Sequence, residues 1–121
     1  MSKKIIFVSN NLPTYDKDSG ANRSKEIIEE FLNCDFQCFF LINENDSSSN
    51  YWSYFSEIGV TILDVSEIEK IKSLNTVDYV WFNGPNSFKR NLSFIQQHLP
   101  KSKIIYDMVD VHFLRYKRSL L

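Results

Sequence analysis

The chain has 121 residues, 43% of them hydrophobic and 15% aromatic, with 14 lysines and arginines against 15 aspartates and glutamates and a net charge of -1. That is the size of one domain able to bury its own core, so residues 1–121 are read as a single domain. The balanced charge offers no basic field to draw the chain onto nucleic acid, which is excluded as a partner.

At the amino terminus "MSKKIIFVSN" places Lys3 and Lys4 before an apolar run. Only Ile5 to Val8 are apolar, whereas an export signal needs roughly 7–15 such residues. No window approaches the ~18 apolar residues of a membrane span. The expected location is cytoplasmic, with membrane contact at most peripheral.

In chain order, runs of strand length recur at 4–9 (KIIFVS), 36–42 (FQCFFLI), 60–63 (VTIL), 78–83 (DYVWFN) and 103–109 (KIIYDMV). They are continuous rather than alternating, as parallel strands covered on both faces require. Between them lie segments with helical spacing. Ile27, Ile28, Phe31 and Leu32 form one stripe; Tyr51, Trp52, Phe55 and Ile58 form another, with Gly59 placed as its C-terminal cap. A weaker segment spans 66–74, and a fourth carries Phe88, Leu92, Ile95 and Leu99 on one face before stopping at Pro100. Residues 43–50 (NENDSSSN) read as a polar loop too short to link domains. Five alternations with right-handed crossovers predict an α/β fold: a doubly wound, Rossmann-like parallel sheet of about five strands, order 3-2-1-4-5, with helices on both faces.

Cys34 and Cys38 fall near a helix end and on a strand, about 13 Å apart if the chain between them is extended. A disulfide spans Cα atoms only about 4.4–6.8 Å apart, so both are expected as free thiols. Two cysteines without nearby histidines make no zinc site.

Ligands of doubly wound sheets bind beyond the carboxyl ends of the strands, where the winding reverses, here between the first and fourth runs with the fifth alongside. The polar, conformationally special segments follow those three runs: "SNNLPTYDKDSGANR", "NGPNS" and "YDMVDVH". Ser19 and Gly20 stand at a helix start whose amides and dipole can hold a phosphate or carboxylate, Gly20 allowing close approach; alternatively Ser19 caps the helix and Gly20 eases the turn. Arg23, one turn in, is either an anion contact or a solvated side chain. Asn83 ends the fourth run as a ligand group or as part of a Gly-Pro turn. Asp107, Asp110 and His112 follow the fifth. If the chain stays extended there, Asp110 and His112 share a face, and the carboxylate can fix the imidazole tautomer and raise its basicity. The alternative makes Asp110 a helix cap and leaves His112 bonded to backbone. His98 is read as a surface residue at a helix end.

The first loop has one glycine ten residues beyond its strand, so it lacks the dinucleotide fingerprint. A phosphorylated receiver needs a carboxylate pair where this chain has "SNN", although Asp64 does end the third strand.

The stretches "KIIFVSNNLPTYDKDSGANR", "VDYVWFNGP" and above all "KIIYDMVDVHFLR" resemble the amino-terminal domain of bacterial group 1 glycosyltransferases of the two-domain GT-B kind. The resemblance spans almost the whole chain. It implies the acceptor-side half of an enzyme that moves a sugar, with retention, from a nucleotide-diphosphate donor to a saccharide or lipid-linked acceptor in surface polysaccharide or glycoconjugate synthesis, without metal or other cofactor. It matches Ser19 and Gly20 to a loop that approaches the donor phosphates, and His112 to a histidine beside the donor sugar, with Asp110 orienting His112 or an acceptor hydroxyl. The donor-binding domain is absent, so the piece alone is expected to be inactive and to belong to a longer protein. The tail "FLRYKRSLL" suits an amphipathic helix packing on that absent protein or brushing anionic lipid. A reading from another class is a noncatalytic interaction or regulatory domain that keeps the winding without the chemistry.

Overall fold

The computed structural model describes residues 3–17, 19–44, 48–74 and 76–107. In chain order they form β1 (Lys4–Ser9), α1 (Ser19–Asn33), β2 (Gln37–Ile42), α2 (Asn50–Glu57), β3 (Thr61–Asp64), α3 (Ile68–Ser73), β4 (Tyr79–Asn83), α4 (Pro85–His98) and β5 (Lys103–Asp107). The strands build one parallel sheet in the order β3-β2-β1-β4-β5. Fold class and strand order are those expected.

The central strand explains the layering. Ile5 to Val8 are all buried, and alternate side chains enter opposite cores. Ile5 and Phe7 join Phe40, Ile28 of α1 and Phe55 of α2 on one face. Ile6 and Val8 join Leu41, Val80, Phe82, Ile71 of α3 and Ile95 of α4 on the other. The helices therefore change face when the chain returns from β3, at one edge, to β4 beside β1. That reversal parts the loops after β1 and β4 at the carboxyl end of the sheet.

Both helices on the first face end alike. After α1, the Phe36 N–H donates to Phe31 O and the Asp35 N–H to Leu32 O, each at 3.1 Å. After α2, the Val60 N–H donates to Phe55 O (2.9 Å) and the Gly59 N–H to Ser56 O (3.2 Å). Each closure turns on one left-handed residue, Asp35 at φ 65° and Gly59 at φ 107°. The expected Gly59 cap is present. The Phe31 and Phe36 rings meet edge to face at 4.9 Å, the apolar contact that accompanies this cap.

The loop read over 43–50 ends earlier. Asn50 begins α2, and Ser49 caps it, its Oγ accepting from the Trp52 N–H at 3.1 Å. His98 is half-buried rather than solvent-facing, its ring 4.6 Å from that of Phe94 at the far end of α4. Asp64 serves its own turn: Oδ1 accepts from the Ser66 N–H at 2.9 Å. Cys34 is exposed and Cys38 buried, both free as expected. Among the described residues no helix is long and apolar enough to cross a membrane.

Candidate functional site

At the carboxyl end of the sheet, between the loops after β1 and β4, lies an open cleft of about 420 Å³. Asn10, Asn11 and Thr14 of the first loop line it, with Gly20 and Ser24 of α1 opposite Asn83, Asn86 and Ser87. Its described lining is amide, hydroxyl and small apolar groups, with no charged side chain.

The walls are fixed from below. Val8 O, near the end of β1, accepts from the buried Ser87 Oγ at 2.9 Å, which holds the first turn of α4 against β1. One turn on, Asn91 is 2% exposed, and its amide exchanges two hydrogen bonds of 2.9 Å with the amide of Asn43, just past β2. The Asn91 Nδ2 also donates to Ser87 O at 3.0 Å. Asn10 O in turn accepts from the N–H groups of Asn43 (3.2 Å) and Glu44 (3.0 Å). Two loops and α4 are thus tied through one polar network, whose buried members, Ser87 and Asn91, bond more strongly in the low dielectric.

The far part of the β1 loop is held by α2. The Tyr15 ring meets those of Tyr51 (5.2 Å), Tyr54 (5.0 Å) and Phe55 (6.0 Å). Tyr51 Oη donates to Asp16 Oδ1 at 2.6 Å, a bond that pushes the Tyr51 phenol up to about 12. The Lys25 ammonium lies over the rings of Tyr15 (5.5 Å) and Tyr54 (5.3 Å) and pairs with Glu29 at 3.2 Å. Its hydrogen bond to Glu29 is the main cause that raises the Lys25 pKa. Tyr54 is raised chiefly by desolvation and then by its own bond to Glu29 Oε2 at 3.0 Å.

Gly84 opens α4 at φ 87° and ψ 168°, a combination that residues with a Cβ essentially do not adopt. No side chain caps this helix, and Pro85 follows in its first turn. The amides of that turn are therefore donors at the mouth of the cleft. Acceptors stand nearby: the side-chain oxygens of Asn10 and Asn83 are buried without a hydrogen-bond partner among the described residues. Leaving such an acceptor unpaired costs about 1–3 kcal/mol, so two at one cleft call for an explanation.

Of the residues singled out in the sequence, Gly20 and Asn83 meet in this cleft. Ser19 is the first residue of α1 and is exposed; the cap position before it falls outside the described residues. Arg23 is exposed and borders a different hollow, with Glu26, Glu29 and Glu30. Asp107 ends β5 in register with Asn83. Asp110 and His112 lie outside the described residues. Sequence reasoning named the two loops that line this cleft but passed over Asn10, Ser87 and the Asn43–Asn91 pair. The signal was there in part, since "SNN" and "NGPNS" are dense in amides and hydroxyls. The pairing of residues 48 positions apart was not readable.

Fold and cleft together define a class: a doubly wound α/β domain with a hydrogen-bonding cleft, uncharged among the described residues, where its sheet reverses. Set against known protein families, curated proteins and solved structures, the chain matches none of them.

Proposed function

We propose that the cleft binds a saccharide and that the chain is the acceptor-side domain of a two-domain glycosyltransferase. The observation that carries this reading is the described lining, which sets amide and hydroxyl groups beside the start of α4, where no side-chain cap bonds. A sugar hydroxyl both donates and accepts, so it can serve helix amides and asparagine carbonyls together. A fully ionised phosphate only accepts, and it would find no use for the amide oxygens that line the cleft. The resemblance in "KIIYDMVDVHFLR" points the same way.

In the transfer this reading implies, the bond from the anomeric carbon to the donor diphosphate breaks and the acceptor hydroxyl oxygen takes its place, its proton passing to the departing diphosphate. The resemblance assigns His112 a role beside the donor sugar and Asp110 the orienting of His112 or of an acceptor hydroxyl; both lie outside the described residues. The diphosphate leaves with the charge, and its stabilisation requires preorganised donors from a second wall.

Calorimetric titration with neutral mono- and disaccharides tests the proposal. One wall of a cleft supports a Kd on the order of 1 mM, about −4 kcal/mol. Asn83→Leu should weaken it at least tenfold while leaving the fold no less stable, because it removes an acceptor that is unpaired in the free protein. Absence of binding heat across the sugars, or binding indifferent to Asn83→Leu, contradicts the proposal.

A further inference from the structure

The β1 loop has a second face. Behind it, above the carboxyl end of β2, lies a hollow of about 480 Å³ bordered by Lys17, Ile42, Glu44, Ser49 and Tyr51. It shares Asn11, Leu12 and Thr14 with the first cleft, so one short stretch of backbone is the partition between the two. The partition is rigidly placed: Ser9 Oγ donates to Asn11 O at 2.6 Å, the Lys17 N–H closes a turn onto Thr14 O at 3.0 Å, and Tyr51 holds Asp16. Its charge differs from that of its neighbour. Lys17, Glu44 and Tyr51 give it a cation, an anion and a phenol, while the described lining of the first cleft is neutral.

We infer that this hollow is a second sugar subsite, so that the ligand of the chain is an oligosaccharide whose neighbouring residues straddle Asn11 and Thr14. The inference rests on the saccharide reading of the first cleft and adds the size of the ligand to it. Lys17 can donate to ring hydroxyls and Glu44 accept from them, and the Tyr51 ring supplies an apolar surface of the kind that covers a sugar's C–H face. Two joined subsites act on one ligand at high effective concentration, so affinity rises with saccharide length until both are filled.

The test is a series of one-, two- and three-residue gluco- and manno-oligosaccharides, titrated calorimetrically and by amide chemical shift against the chain and against Lys17→Ala/Glu44→Ala. Both substituted side chains are exposed. Single sugars should shift the first cleft, Asn83 and Ser87 included, and leave Lys17, Glu44 and Tyr51 unmoved. Longer ones should also shift Lys17, Glu44 and Tyr51 and bind about tenfold tighter or more, and the double variant should abolish that gain while leaving the single-sugar affinity unchanged. Equal affinity at every length, with shifts confined to the lining of the first cleft, overturns the second subsite and leaves the first cleft standing. A gain with length that survives the double variant also overturns it. Failure of every sugar to shift Asn83 or Ser87 overturns the saccharide reading itself, and the second subsite with it.

Discussion

Gly84 concentrates the backbone strain of the cleft in one residue. A Cβ there would meet no atom within 4 Å, so space is no obstacle to Gly84→Ala; the φ of 87° is. The substitution should cost about 1–3 kcal/mol, read as a lowered midpoint in urea unfolding. Nothing in "NGPNS" distinguishes this geometry from an ordinary turn before proline, which is why the residue read only as punctuation. Cys38 is the opposite case, a residue whose role was legible. Burial pushes its thiol up to about 11, so a thiol reagent should modify the exposed Cys34 in the folded chain and reach Cys38 only on unfolding. Tyr51 adds a pH dependence. Its folded pKa of about 12 exceeds the usual value near 10, so its bond to Asp16 contributes in full below about pH 10 and is lost as pH rises through about 12. The stability difference between the chain and Tyr51→Phe should therefore vanish across that window.

Among elements, the two helix caps form a natural comparison. Asp35 holds with a side chain the left-handed conformation that Gly59 holds without one. Asp35→Gly should thus raise stability by up to about 1 kcal/mol, and Gly59→Ala should lower it by about 1–2 kcal/mol, in paired denaturant melts. Gly59 was legible because a glycine after an amphipathic stripe signals a helix end; Asp35 sends no such signal. The Asn43–Asn91 pair belongs to this scale too. Asn91→Leu strands the Asn43 amide and should cost about 1–3 kcal/mol, whereas Asn43→Leu/Asn91→Leu together should recover part of that loss. Helical periodicity puts Asn91 on the buried stripe, three residues after Phe88 and four before Ile95, but names no partner for it. Its partner is set by the sheet order, which brings the ends of β2 and β1 under the same helix.

At the scale of the whole molecule, strand order and layering were the most legible features, because they follow from continuous apolar runs such as Ile5 to Val8 and from the handedness of crossovers. The position of the cleft followed from them, and Gly20 and Asn83 do meet there across 63 positions of sequence. The identity of the individual lining groups did not follow, since that depends on side-chain directions in loops where no periodicity operates. The central claim is that this reversal of the sheet is where a saccharide sits. The most direct measurement is amide chemical-shift mapping of the isotopically labelled chain with a saturating neutral sugar. The expected result is a set of changes converging on Gly20, Asn83, Gly84 and Ser87. Changes gathered instead at the opposite end of the sheet, around Val77, His98 and Lys101, would contradict it.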